Sequence, residues 1–211
     1  MLTNTPRFTN TPHLTILLPF YQAGAEMDLA VSSLVEQSFS DWKLILVSNN
    51  GSITGLDIAR KWMAKDERII MVEEPQQGIA YALNQGLRYA DTPYIARMDA
   101  DDISFSERLL RQVDYLDCHP DIDVVSCQTE YQSHIPGSKR YSLFVDGQNA
   151  IISPDDHASE QFVESPIAHP TVIFRKELID RYGSYDTGEV PEDYELWLRW
   201  MDQGVRLYKI P

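Results

Sequence analysis

The chain has 211 residues, enough for one domain with a sizeable core, and its 43% hydrophobic and 24% charged content is that of a globular protein. Eighteen basic residues against 32 acidic ones give a net charge of −14. That balance repels polyanions, and no run of Lys and Arg offers a stripe for a phosphate backbone, so no nucleic acid is expected as a partner.

Residues 1–13 form a polar tail that carries Pro6 and Pro12 and lacks the basic-then-apolar design of a secretory signal. No stretch reaches the ~18 consecutive apolar residues of a membrane span. A cytoplasmic protein is expected, with room for peripheral membrane contact at the inner face. Cys118 and Cys127 lack zinc-type spacing and give no disulfide framework, so they read as reduced thiols.

Apolar runs then alternate with segments of helical period, the pattern of β-α-β units and a largely parallel sheet. Strands are expected at 14–18, 44–47, 69–72, 94–98 and 124–127, with helices at 26–37, 58–65, 79–89 and 107–116 between them. From 131 to 166 periodicity is lost while Gly, Pro, Ser and Asp accumulate, which predicts an irregular segment of functional or mobile character. A strand at 171–174, helices at 175–181 and 192–201, and a terminal strand at 205–210 complete the pattern. No internal repeat is present, and no pattern sets an oligomeric state.

In an open α/β sheet the ligand crevice lies beyond the carboxyl ends of the strands. Three loops of chemical interest fall there. Pro19-Phe20-Tyr21 leaves the first strand and offers an aromatic ring to stack on a base. Asn49-Asn50-Gly51-Ser52 follows the second strand; it is a turn signal, and Asn49 has both donor and acceptor for a base edge. The third loop holds Asp99-Ala100-Asp101-Asp102, three carboxylates in four residues after a buried strand. Two like charges about 5 Å apart at an effective dielectric of about 20 repel by about 3 kcal/mol, a cost that a bound cation removes. Oxygen-only ligands suit Mg²⁺ or Mn²⁺, which bind through one or two carboxylates and substrate phosphates. The alternative is a solvated acidic turn capping the next helix.

Further along, Gly78 and Asn84 lie in a glycine-bounded helical segment that is not a P-loop, since no Gly-Lys-Ser/Thr follows. His169 is a candidate ligand or base, or a hydrogen-bonded core histidine. Glu192-Asp193-Tyr194-Glu195 opens the last helix, where the acids either serve the helix dipole or supply a general base.

In order along the chain, six segments resemble family 2 glycosyltransferases, inverting enzymes of the GT-A fold that use nucleotide-diphosphate sugars. They are Ile16 to Tyr21, Val47 to Ser52, Gly78 to Gly86, Met98 to Asp102 with Glu107-Arg108, His169 to Arg175, and Glu192 to Arg199. The resemblance implies a single catalytic domain with a Rossmann-like, mostly parallel sheet and a small antiparallel element. It implies donor contacts from Pro19, Phe20, Tyr21, Asn49, Gly78, Asn84, Asp99 and Ala100, metal contacts from Asp101, Asp99 and His169, and Asp193 as the base. The usual acidic pair after the second strand is here Asn49-Asn50, which departs from the uracil-reading pattern. The implied partners are a nucleotide-diphospho-sugar donor, Mn²⁺ or Mg²⁺, and a glycan or lipid-linked acceptor. The resemblance also implies acceptor-side helices after this point, which this sequence is expected to lack. Two alternatives share parts of the pattern: a sugar nucleotidyltransferase, disfavoured because 19–25 has no Lys or Arg, and a non-catalytic sugar-nucleotide binding module.

Overall fold

The computed structural model describes residues 12–132, 139–163 and 165–211. Most of the expected N-terminal tail, and residues 133–138 and 164 of the expected irregular segment, lie outside the described residues.

The strands are β1 (Leu14–Phe20), β2 (Trp42–Ser48), β3 (Ile69–Glu73), β4 (Tyr94–Arg97), β5 (Val124–Cys127), β6 (Ile173–Arg175) and β7 (Leu207–Ile210). They form one sheet in the order β3-β2-β1-β4-β6-β5-β7. All pairings are parallel except those of β6, which runs antiparallel to both β4 and β5. Every residue of β1, β2 and β4 is buried, as expected where helices cover both faces of a parallel sheet. The mostly parallel α/β sheet with a small antiparallel element is therefore present.

The helices are α1 (Glu26–Val35), α2 (Ile53–Lys65), α3 (Ile79–Leu87), α4 (Arg108–Cys118), α5 (Lys139–Asn149), α6 (Pro154–Glu160), α7 (Glu177–Tyr182) and α8 (Glu192–Asp202). One apolar cluster joins α1 and α4 to one face of the sheet, and the other joins α3 and α8 to the opposite face through Leu83, Phe174, Trp197 and Trp200.

Three boundaries differ from the sequence pattern for physical reasons. First, β1 runs on through Pro19 and Phe20. Leu17 accepts from the Met98 N–H on the β4 side, so Pro19, two residues later, turns its missing N–H to a side where the ladder has ended. Second, the strand expected at 171–174 begins later, because His169–Thr171 forms a 3₁₀ turn. Third, the stretch 131–166, expected to be irregular, contains α5 and α6. Ser153 and Asp156 form a reciprocal capping box around α6 with Pro154 in its first turn, a start signal that the surrounding Ser, Pro and Asp masked.

Candidate active site

The antiparallel course of β6 decides what meets at the rim. It brings the residues before β6, including His169, to the carboxyl ends of β1, β2 and β4, beside the loops that follow those strands. The rim therefore holds Tyr21, the 49–52 turn, the acidic loop 99–102 and the 3₁₀ turn.

The acidic loop is anchored at both ends. At its entry the Arg97 N–H donates to the Val172 carbonyl at 3.1 Å, and the Arg97 carbonyl accepts from Arg108 Nη2 at 2.9 Å. At its exit Gln37, just past the end of α1, donates to the Phe105 carbonyl at 2.8 Å and accepts from the Leu109 N–H at 3.1 Å. Between these anchors Asp101 is exposed, while Asp99 and Asp102 are half-buried. Burial pushes the Asp102 carboxyl above its ordinary range, and repulsion from Asp99 and Asp101 adds to the shift. A cation among these oxygens would relieve that repulsion. Among the described residues no three His, Cys, Asp or Glu side chains surround a point as a metal cage. The donor set thus fits an ion of the Mg²⁺ or Mn²⁺ type that takes one or two protein carboxylates and completes its shell with phosphate oxygens and water.

Asp99 also forms an ion pair with Arg97, whose guanidinium is buried. On the other side of the rim His169 is equally buried. Its Nε2 lies 2.9 Å from the Tyr185 hydroxyl, and its Nδ1 lies 3.6 Å from Glu192 at the start of α8. Burial, with the Arg97 charge acting in the same direction, holds the His169 imidazole below its usual range and therefore neutral at pH 7. The His169 contact, helped by Arg97, holds the half-buried Glu192 below the ordinary carboxylate range against the effect of burial. Asp193 is half-buried at the first turn of α8, and its Oδ1 accepts the Tyr194 N–H at 2.8 Å. Tyr194 in turn ties α8 to the end of α6, donating to the Gln161 carbonyl at 2.6 Å.

Not all of the residues expected to touch a ligand face the rim. Tyr21 is 42% exposed and free to stack. Phe20, by contrast, is a core residue: a Cβ on Gly51 would come within 2.5 Å of its ring, so it packs under the 49–52 turn and shapes that turn from below. Pro19 is buried in β1. Asn49, expected at a base edge, is buried with its polar atoms engaged. It donates to the Glu74 and Gln76 carbonyls at 2.9 and 2.7 Å and accepts from the Gly78 N–H at 2.8 Å. Gly78 holds φ +138°, a conformation open to glycine, and thereby lets the chain turn from that clamp into α3. Asn84 is engaged by protein, donating to the Tyr185 carbonyl at 2.8 Å and accepting from its N–H at 3.2 Å. It positions the loop that carries Tyr185. Because both ring nitrogens of His169 face protein partners, the metal candidates left at the rim are Asp99 and Asp101, with Ala100 between them. Arg97 and Tyr185 were not singled out from the sequence, and Glu192 only as one of the acids that open α8. The available signal for Arg97 was an arginine inside an otherwise apolar segment, two residues before Asp99.

The sequence model of the family described as glycosyl transferase family 2 matches residues 15–183. This chain belongs to that family. It is 29% identical over 203 residues to the amylovoran biosynthesis glycosyltransferase AmsE of Erwinia amylovora, across 93% of this chain and 73% of the relative. It is 27% identical over 203 residues to the UDP-Gal:alpha-D-GlcNAc-diphosphoundecaprenol beta-1,3-galactosyltransferase of Escherichia coli, across 92% and 70% of the two chains.

Among solved structures, a mannosyltransferase of Pyrobaculum calidifontis in complex with GDP-Man and Mn²⁺ superimposes with a TM-score of 0.71 at 22% identity. TarS 1–349 of S. aureus in complex with UDP-GlcNAc gives 0.72 at 16% identity. This chain spans 57% and 55% of those two chains, and the likeness identifies the fold as GT-A. Family 2 is a family of sugar transferases, and the matched residues include the acidic loop.

Proposed function

We propose that this chain transfers a sugar from a nucleotide-diphosphate sugar, UDP-linked in the first instance, to a hydroxyl of a glycan or lipid-linked acceptor, with inversion at the anomeric carbon. The observation that carries this reading is the meeting, at one rim, of a self-repelling acidic loop with half-buried carboxylates at the start of α8. The two walls suit the two ends of a glycosyl transfer. One is built for a diphosphate and its cation, the other for a proton.

In this reading Tyr21 stacks on the nucleoside, Asn49 acts indirectly by holding the loop 74–78 in shape, and Asp99 contacts the donor. Asp101, with Asp99, holds Mn²⁺ or Mg²⁺. When bound, such an ion supplies Lewis-acid stabilisation of the departing diphosphate. Asp193 accepts the proton of the acceptor hydroxyl while that oxygen attacks the anomeric carbon. The bond to the diphosphate breaks with its electron pair, and attack from the opposite face inverts the centre. Glu192 is the weaker candidate for base, because the His169 contact holds its carboxylate in a low-pKa state. The names of the relatives support the donor and acceptor classes: GDP-Man and Mn²⁺ accompany one neighbour, UDP-GlcNAc another, and a lipid diphosphate sugar is named in the galactosyltransferase. A lipid-linked acceptor would be met by peripheral contact from the cytoplasmic side. Among the described residues no helix is long and apolar enough to cross a membrane.

A nucleotide-release screen across UDP-, GDP- and dTDP-sugars, with Mn²⁺, Mg²⁺ or a chelator, tests the proposal. The expected result is release from one donor class that a chelator abolishes, and a loss of at least about 10²-fold in Asp101→Asn. Tight donor binding without turnover would instead make the chain a sugar-nucleotide binding module, and release that ignores the chelator would remove the metal.

A further inference from the structure

Arg97 is the last residue of β4 and only 3% exposed; among the described residues neither its Nε nor its Nη1 has a well-aligned hydrogen-bond partner, the Nη1 meeting Asp99 as an ion pair. A buried guanidinium is costly unless acids compensate it. The acids near this one come from two different walls of the rim. Asp99 of the acidic loop pairs with its Nη1, and its charge also acts on Glu192, His169 and Tyr185 at the approach to α8. The backbone around it is fixed as well. Its N–H is bonded to Val172, and its carbonyl to Arg108, which also donates from Nε to Gln112 at 3.0 Å. Gln112 closes the ring by donating to the Thr171 carbonyl at 2.7 Å, in the same 3₁₀ turn as His169.

We propose that Arg97 is a positioning residue for the donor side of the rim: its ion pair orients Asp99, and its N–H on the Val172 carbonyl fixes the entry of the acidic loop beside the 3₁₀ turn that carries His169. The inference rests on the transferase reading above. Nothing in it requires Arg97 to touch a substrate; it acts through Asp99. The planar guanidinium matters because it presents a fixed donor edge to the carboxylate, which a lysine ammonium on a flexible stem reproduces only in charge.

The test is a double-mutant cycle on the full chain, with the donor identified by nucleotide release and with kcat and KM measured separately. Arg97→Met and Asp99→Asn should each lower kcat/KM by about 10²-fold, and Arg97→Lys by about 10-fold. The double variant Arg97→Met/Asp99→Asn should fall within about 3-fold of Asp99→Asn alone, because Arg97 acts through the Asp99 carboxylate that this change has already removed. A purely structural role would lower the melting temperature and the active fraction, yet leave the losses multiplicative. Should Arg97→Met fail to fold, Arg97→Lys with Asp99→Asn completes the same cycle. An active wild type with multiplicative losses, or with both Arg97 variants within about 3-fold of it, overturns the inference alone. A wild type that releases nucleotide from no donor overturns the transferase reading and this inference with it.

Discussion

The amide of Asn49 faces into the protein and holds the loop after β3 from three directions. An aspartate there would keep the bond from Gly78 but would set a buried charge against the Glu74 and Gln76 carbonyls. Asn49→Asp should therefore destabilise the fold by about 1–3 kcal/mol, read as a lower urea midpoint at unchanged m-value. An unchanged midpoint would show that the clamp contributes nothing. This residue also marks where sequence analysis stopped. A turn signal and the chemistry of a primary amide were legible at 49–52, but the partners that use up that amide lie about 25 residues away, on a loop whose course the turn does not encode. Tyr21 and Asp101 stay available to a ligand: one ring is exposed, and the other side chain stands on an open loop. His169 is the hydrogen-bonded core histidine that was one of its two readings, and Asn84 is engaged by the backbone of Tyr185, partners that no local pattern at 84 or 169 encodes.

Among the elements, the strands were the most legible, since burial on both faces leaves near-continuous apolar runs in β1, β2 and β4. Helices α5 and α6 were not. The first leaves Tyr141 and Leu143 exposed, and the second is too short for a stripe and depends on its cap. Helix α6 carries a titratable group that makes its docking depend on pH. His157 is 1% exposed, neither ring nitrogen has a hydrogen-bond partner among the described residues, and burial beside the Lys209 cation lowers its pKa to about 4. The unfolded imidazole binds its proton near pH 6.5, so between pH 6.5 and pH 4 the unfolded state holds more protons than the folded one. Stability is thus fully present above pH 6.5 and falls as the pH drops toward 4, by about 3 kcal/mol at most. Thermal melts of the wild type and His157→Leu at pH 7 and pH 5 check this. The wild type should lose stability over that interval and the variant should lose clearly less; parallel losses would assign the acid sensitivity to other groups.

At the scale of the whole molecule, one topological choice produces the site. Were β6 parallel to its neighbours, its N-terminal end and His169 would lie at the far edge of the sheet. Run antiparallel, it returns the chain to the rim where β1, β2 and β4 deliver their loops. The acidic surface does not conflict with a diphosphate ligand, because the charge that matters is local. On the proposed reading, a divalent ion on the loop together with the buried arginine beside it would make the local potential favourable despite a net −14 spread over the molecule. The division of labour that follows, with the donor and its cation at 99–101 and proton transfer at Asp193, is the central claim. Asp193→Asn tests it most directly, with donor affinity measured by calorimetry in Mn²⁺ and turnover by nucleotide release with acceptor present. The account predicts donor binding within about 3-fold of wild type and transfer reduced by about 10²-fold or more. Turnover by Asp193→Asn at the wild-type rate would contradict it.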